Sequence, residues 1–111
     1  MAERTRKRTA AEGLAARRRA MDRLNRRILR LVETRAVLAA TIAREKTAAG
    51  RRVHDPAREG AMLAAVLDAA SGSLEADLLA AVFKTMFRAC RTQAQRSLRS
   101  GGKVRQGGGG R

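Results

Sequence analysis

Residues 14–46, LAARRRAMDRLNRRILRLVETRAVLAATIAREK, predict one uninterrupted α-helix that starts near Glu12. Apolar side chains recur in this stretch at seven-residue spacing, with a second set three places later, which is the pattern of an apolar stripe along one helix face. The stripe consists of Leu14, Met21, Leu24, Ile28, Leu31, Leu38 and Ile42. Neither proline nor glycine interrupts the stretch. We therefore expect a first helix of about 35 residues, from Glu12 to Lys46.

The length of this helix predicts an oligomer. About 35 residues at a rise of 1.5 Å per residue give a rod of roughly 50 Å, whereas a compact domain of about 100 residues has a diameter of about 35 Å. The helix must then extend beyond any compact monomer, and its apolar stripe continues along the extending part. Because an apolar stripe of this kind needs another chain to cover it, we expect a helical homodimer.

Two shorter helices are expected to follow. The second begins after Asp55, a typical N-cap that is followed by Pro56 at the first helical position, and it ends near residues 71–72. Ser73 is expected to cap a third helix, whose apolar face continues to Cys90. The predicted fold class is therefore all-α, with three helices per chain, one of them very long.

Composition limits the size and the cellular location of the protein. The chain of 111 residues leaves room for one domain, and an aromatic fraction of 2% disfavours β-structure. No stretch approaches the roughly 18 consecutive apolar residues of a membrane span, and no apolar run follows the basic N-terminus as it would in a secretory signal. The single cysteine, Cys90, cannot form an internal disulfide. These features predict a cytoplasmic protein without a membrane partner.

The positive charge is large and lies partly at the ends of the chain. Lysine and arginine number 25 against 10 acidic residues, so the formal net charge is +15. Residues 1–11 and 99–111 contribute much of the excess, and we expect them to be disordered tails that flank a helical domain at 12–98. A basic excess suits nucleic acid, an anionic membrane surface or a small anion. No recognition motif or stacking aromatic accompanies the charge, which disfavours nucleic-acid binding.

Three basic residues of the first helix form the candidate anion site. Arg35 occupies a position in the apolar stripe, where a charge is costly unless it meets an anion; snorkelling past the stripe or pairing with a glutamate is the alternative. Lys46 lies about 16 Å further along the axis, so the two side chains can hold one small anion between them. Arg18 lies about 25 Å from Arg35, too far to share that ligand within one straight helix. In an antiparallel dimer, the partner's Arg18 can return alongside. Taken singly, Arg18 and Lys46 are each explained as solvated surface charges.

The other polar residues have structural explanations too. Asp55 is explained as a helix cap, Glu59 as a first-turn acid and Arg58 as a surface charge. His54 has no second histidine or cysteine at ligand spacing, so no metal site is expected. Cys90 fits a small core residue better than a nucleophile. The sequence contains no catalytic triad, phosphate-binding loop or paired catalytic carboxylates.

Taken together, these residues resemble the AroQ-class chorismate mutases, the type II, all-α family of that enzyme. The first-helix pattern is Arg18-x-x-Met21-Asp22-x-Leu24-Asn25-x-x-Ile28-Leu29-x-Leu31-Val32-x-x-Arg35-x-x-Leu38-x-x-x-Ile42-x-x-x-Lys46. Two further matching patterns are Val53-x-Asp55-Pro56-x-Arg58-Glu59 and Val82-Phe83-x-x-Met86-x-x-x-Cys90-Arg91. The resemblance covers about residues 14–95. It implies three helices per chain in an intertwined homodimer with two shared active sites.

The resemblance also implies a role for each candidate residue. Arg18 from one chain and Arg35 from the other would bind the two carboxylates of chorismate. Lys46 would donate to the ether oxygen and to one carboxylate. Glu59 and the backbone near Asp55 would hold the ring hydroxyl.

The implied reaction is the rearrangement of chorismate to prephenate. It is a unimolecular pericyclic shift, so it requires neither a covalent intermediate nor a cofactor. The enzyme holds the flexible side chain of the substrate folded over the ring and stabilises negative charge that grows on the ether oxygen. Arg58 would help to organise the pocket. The product would serve the shikimate pathway, in aromatic amino acid biosynthesis or in the synthesis of a specialised aromatic compound.

One position departs from the family pattern. A glutamine usually lies four residues after the position of Cys90, where it faces the ether oxygen opposite the lysine. Here that position is Ala94, with Gln93 and Gln95 on either side. Adjacent residues of a helix point about 100° apart. Either the third helix is rotated or shifted so that it presents Gln93, or the second donor to the ether oxygen is missing.

Two alternatives to chorismate mutase follow from the sequence. The first is an enzyme of the same fold that acts on a related substrate, either an aminodeoxychorismate mutase or an isochorismate-pyruvate lyase. The pattern Asp55-Pro56-x-Arg58-Glu59 argues against the lyase, whereas Ala94 keeps related chemistry open. The second is a basic helical protein that binds nucleic acid, or a non-catalytic helical dimer.

Overall fold

The fold consists of three α-helices in the computed structural model, which describes the backbone of residues 2–108 and the side chains of residues 2–101. In chain order the helices are α1 (Ala2–Ala48), α2 (Pro56–Ala69) and α3 (Ala76–Gly108). Residues 2–108 contain no β-strand, so the prediction of an all-α chain with three helices, one of them very long, is confirmed. No helix in this range combines the length and the apolar character that crossing a bilayer requires.

The first helix begins earlier than the sequence pattern predicted. It starts at Ala2 rather than near Glu12, because residues 2–11 contain neither glycine nor proline and consist largely of strong helix formers. Lys7 and Glu3 lie one turn apart, and their 3.8 Å ion pair favours the helical conformation. The predicted helix start is therefore corrected to Ala2.

The last helix continues past the predicted end of the helical domain. It reaches Gly108, beyond the predicted domain end at residue 98. Residues 109–111 of the predicted C-terminal tail lie outside the described residues. The division of the chain into two tails and a central domain at 12–98 stays a prediction.

A glycine in the left-handed region ends α1. Gly50 has a φ of 71°, which a residue without a side chain adopts at little cost. Its amide donates to the Thr47 carbonyl at 3.0 Å, and the Arg51 amide donates to the Lys46 carbonyl at 2.8 Å. These two hydrogen bonds form a Schellman motif, which satisfies the last carbonyls of the helix and turns the chain. Lys46 consequently lies in the last helical turn, where the helix dipole favours a positive charge.

The N-cap predicted for the second helix is confirmed. Asp55 Oδ1 accepts a hydrogen bond of 3.0 Å from the Arg58 amide, and Pro56 occupies the first helical position. The helix ends at Ala69, slightly before the predicted residues 71–72. The cap fixes where the chain enters α2 and therefore where the charged residues of its first turn lie.

The predicted cap of the third helix is wrong. The helix begins at Ala76, and Leu79 makes its amide hydrogen bond to Glu75 at 2.9 Å. The hydroxyl of Ser73 instead lies 3.0 Å from that of Ser71, while its amide donates to the same Ser71 oxygen at 3.4 Å. Because the two serines hydrogen-bond each other within a bend of the chain, Ser73 does not cap α3.

The chain comprises two units, of which the first ends at Glu33 and the second begins at Thr34. In the first unit the apolar stripe of α1 is exposed: Met21, Ile28 and Leu31 each leave more than half of their surface open, at 58%, 56% and 68%. Exposed apolar surface of this extent is typical of a surface that another chain covers. The homodimer stays a prediction, which this exposure favours.

Among residues 2–101, the buried hydrophobic side chains all lie in the second unit. They come from α1 and α3 and are Ala43, Phe87, Cys90 and Ala94. Phe83 packs edge-to-face against Phe87, with ring centroids 6.1 Å apart. The burial of Cys90 confirms that it is a core residue. Small residues predominate in this core, which leaves room for a cavity beside it.

Loss of the N-cap of α2 should destabilise the protein. We expect Asp55→Ala to lower the free energy of unfolding by about 1 kcal/mol, because the Arg58 amide loses its acceptor. Asp55→Asn is the matched control, since asparagine caps a helix equally well while lacking the charge. Urea denaturation at one fixed protein concentration measures both variants. Equal losses in the two variants would show that the charge of Asp55, rather than its capping, stabilises the fold.

Candidate active site

A cavity of about 480 Å³ lies in the unit that begins at Thr34. Its walls come from α1, α2, α3 and the loop between α1 and α2. The charged residues that line it are Arg35, Lys46, Arg51, Asp55, Arg58, Glu59 and Arg91. The apolar part of the lining includes Leu38, Ile42, Val53, Met62 and Phe87. A volume of this size suits a small molecule.

The charge of the lining selects the class of ligand. Five cationic side chains face two carboxylates. Because a low-dielectric wall strengthens the field of such a cluster, the cavity attracts anions. The apolar side chains suit a carbon skeleton between the charged groups. The arrangement fits a small carbocyclic molecule with more than one negative charge.

Arg35, at its position in the apolar stripe of α1, makes a cation–π contact with an aromatic ring. Its guanidinium carbon lies 4.7 Å from the centroid of the Phe87 ring, and its Nη2 lies 3.8 Å from the Met62 sulfur. No ion pair joins it to a carboxylate of residues 2–101, so the predicted alternative of a glutamate partner does not apply within this chain. The electron-rich face of the Phe87 ring attracts the positive charge of the guanidinium. The guanidinium can still use its planar edge to bind an anion.

Lys46 is held by the loop between α1 and α2. Its Nζ donates to the Val53 carbonyl at 3.5 Å and lies 4.0 Å from Asp55 Oδ2. The lysine side chain is largely buried, since 19% of it is exposed. Two oxygens thus lie close to the ammonium group at the wall of the cavity.

Glu59 has a partner that the sequence analysis did not identify. Arg91 Nη1 on α3 donates to Glu59 Oε2 on α2 at 2.5 Å. Both side chains line the cavity and are largely buried. The spacing of Arg91 is consistent with this position. It lies four residues after Phe87 and three before Ala94, so the three residues share one face of α3.

The structure brings together five of the seven predicted site residues. Those that line the cavity are Arg35, Lys46, Asp55, Arg58 and Glu59. Arg58 is exposed at the rim, while its backbone amide serves the cap of α2. Arg51, to which the sequence assigned no role, also lines the cavity.

The other two predicted site residues do not line this cavity. Arg18 is an exposed residue of the unit that ends at Glu33. Gln93 is exposed on α3, where its Nε2 lies 3.4 Å from the Ser97 hydroxyl. For Arg18 the prediction was a contribution from the partner chain, which a single chain does not test.

Ala94 occupies the cavity wall in place of a longer polar residue. It is 1% exposed and lines the cavity together with Cys90, which is 3% exposed. The neighbouring Gln93 points elsewhere, as the angle between adjacent helical residues requires. Of the two predicted alternatives for this helix, the placement therefore favours the one in which no glutamine faces the cavity. His54 is exposed, and the described residues contain no cluster of potential metal ligands.

Comparison with known proteins identifies one family. Residues 17–95 match the family model described as chorismate mutase type II. The matched range is well over half of the 111-residue chain and includes every charged residue of the cavity. No curated protein matches the chain.

Proposed function

This chain belongs to the chorismate mutase type II family, and we propose that it converts chorismate to prephenate by a pericyclic Claisen rearrangement. The main support is the cavity, which Arg35, Lys46 and Glu59 line and in which cationic side chains outnumber carboxylates. Chorismate has two carboxylates, a ring hydroxyl and an ether-linked enolpyruvyl group on a six-membered ring. A dianion of this shape matches both the charged and the apolar lining.

Arg35 is proposed to bind one substrate carboxylate. An arginine fork binds a carboxylate through two parallel hydrogen bonds, which fixes its direction as well as its position. The Phe87 ring beneath the guanidinium limits the orientations that Arg35 adopts. A carboxylate held in this way restricts the enolpyruvyl group to a folded conformation, and this restriction removes part of the entropic barrier.

Lys46 is proposed to stabilise the transition state. As the C–O bond breaks, negative charge grows on the ether oxygen, and a fixed ammonium group stabilises this charge better than mobile water does. The Val53 carbonyl and the Asp55 carboxylate hold the ammonium in place before substrate binds. The site therefore needs no nucleophile, because it acts by orientation and by electrostatic stabilisation.

Glu59 is proposed to accept a hydrogen bond from the ring hydroxyl. Its Oε2 is occupied by Arg91, which leaves Oε1 for the substrate. Arg58 at the rim and the backbone near Asp55 complete the polar surroundings of the ring. These contacts position the ring relative to Arg35 and Lys46.

The proposed site is completed by a second copy of the chain. The second substrate carboxylate needs another cation, and Arg18 occupies the exposed part of α1 whose apolar stripe requires a covering chain. Pairing two α1 helices would cover the stripe and bring the partner's Arg18 to the cavity. The homodimer is thus proposed to contain two active sites, each built from both chains.

Conversion of chorismate should depend on Arg35. We expect purified protein to consume chorismate and form prephenate, and Arg35→Ala to lower kcat/KM by about two to three orders of magnitude through loss of a charge-assisted contact. Absorbance of chorismate and chromatographic detection of prephenate measure the reaction. Arg44→Ala is the control, because Arg44 is an exposed residue of α1 that hydrogen-bonds Thr41 and does not line the cavity. Absence of conversion by micromolar wild-type protein would refute the proposed function.

A shared site should allow two inactive variants to restore activity together. In a hybrid of Arg18→Ala and Arg35→Ala chains, one site keeps both arginines and the other site loses both. Random reassociation forms hybrids in half of the dimers, so we expect about a quarter of the wild-type activity after the mixed chains are unfolded and refolded. Each variant refolded alone is the control. Failure of the mixture to exceed the two controls would contradict a site shared between chains.

A glutamine at position 94 should accelerate the reaction. Ala94→Gln would place a second donor on the cavity wall, and a donor of this kind contributes about 100-fold to rate in comparable sites. Because position 94 is tightly packed, overpacking offsets part of the gain, and we expect kcat to rise about tenfold. Gln93→Ala should leave kcat unchanged, since Gln93 is exposed. A loss of turnover in Gln93→Ala would show that α3 presents Gln93 to the substrate.

A further inference from the structure

We propose that Arg91 determines substrate specificity: paired with Glu59, it makes the site accept a ring hydroxyl and reject a ring ammonium at the same position. This inference rests on the proposed function and adds a role that the chorismate site itself does not require. It concerns the choice between chorismate and the analogue in which an amine replaces the ring hydroxyl.

The contact between Arg91 and Glu59 is part of the cavity wall. The two side chains connect α3 to α2, and only 21% of the arginine and 26% of the glutamate side chain is exposed. Both residues line the main cavity. Limited exposure keeps water from screening the charges fully, so the arginine acts on any ligand group that approaches the glutamate.

The surroundings of this pair are also positive. A second, smaller cavity shares Glu59 and Arg91 with the main cavity and is also lined by Lys84 and Arg88 of α3. The main cavity adds Arg58, which follows the α2 cap immediately before Glu59. Glu59 is therefore the one carboxylate common to both cavities among the described residues, and the cations around it outnumber it.

The net charge beside the ring substituent decides which substituent binds. An unpaired carboxylate would hydrogen-bond a hydroxyl and would attract an ammonium group still more strongly. With Arg91 bound to Oε2, the pair is neutral overall, and Oε1 still accepts a hydrogen bond from a hydroxyl. An ammonium group at the same place would lose water and meet the repulsion of Arg91, with no uncompensated negative charge in return. The neutral hydroxyl is consequently preferred.

A purely structural role for Arg91 predicts a different result. If the ion pair only connected α2 to α3, its loss would weaken conversion of both substrates by the same factor. If Arg91 sets specificity, its loss changes the ratio of the two kcat/KM values. The ratio therefore separates the two roles even when the variant is less stable than the wild type.

The test compares chorismate with its ring-amine analogue in the full-length dimer. Wild-type protein should favour chorismate, and Arg91→Gln should reduce this preference at least tenfold, mainly through a lower KM for the amine. Arg91→Lys should keep most of the preference because it retains the positive charge. Arg96→Gln is the control, since Arg96 is an exposed residue of α3 that lines neither cavity, and its preference should equal that of the wild type.

Glu59→Gln provides an independent test, because it should change the preference between the two substrates in the opposite direction. It leaves the charge of Arg91 uncompensated, so the preference for chorismate over the amine should increase although conversion of both falls. This variant decides the question if Arg91→Gln does not fold, which circular dichroism establishes for each protein.

In a wild-type protein that converts at least one of the two substrates, three outcomes would overturn the inference. They are a wild-type preference for the amine, an unchanged ratio in a folded Arg91→Gln protein, and a decreased preference in Glu59→Gln. A wild-type protein that converts neither substrate would refute the proposed function and this inference with it. A wild-type protein that converts chorismate, with equal losses for both substrates in Arg91→Gln, would refute the inference alone.

Discussion

An excess of positive charge around a partly apolar cavity is the constraint on which the rest of this structure depends. Like charges at close range repel, so each cation needs its own support within the fold. Lys46 is held by the inter-helix loop and Asp55, Arg91 by Glu59, and Arg35 by an aromatic ring. The compensation is incomplete because only two carboxylates line the cavity. A bound dianion would supply the missing negative charge, which links the stability of the site to its proposed substrate.

Helix ends, rather than helix interiors, position much of this charge. The Schellman motif at Gly50 stops α1 just after Lys46, and the cap at Asp55 starts α2 just before Arg58 and Glu59. Asp55 serves both purposes, since one of its oxygens caps α2 and the other faces the Lys46 ammonium. A substitution in this loop therefore alters helix stability and site geometry at once. This coupling explains why the short loop between α1 and α2 contributes Arg51, Val53 and Asp55 to the cavity.

Sequence periodicity correctly predicted that the chain forms three helices, but only some of the predicted helix ends were correct. The α2 cap was predicted correctly because aspartate followed by proline has one simple local explanation. The start of α1 and the Ser73 cap were missed, since good helix formers continue to Ala2 and a second serine binds Ser73. The pairing of Arg91 with Glu59 was missed for a different reason. Glu59 lies 32 positions before Arg91, on another helix, and only the packing of α3 against α2 brings the two residues together.

The absence of a long polar side chain at Ala94 changes how the proposed site would stabilise charge. A hydrogen-bond donor stabilises an oxygen only at hydrogen-bonding distance. The electrostatic field of several cations instead extends across the cavity and weakens slowly with distance. Because Arg91 on the α3 wall is paired with Glu59, and Cys90 and Ala94 beside it carry no strong hydrogen-bond donor, most stabilisation of the ether oxygen falls to Lys46 and to the general positive field. Such a field stabilises the bound dianion as well as the transition state. Because only the difference between these two states accelerates a reaction, this cavity is better built for tight binding than for rapid turnover.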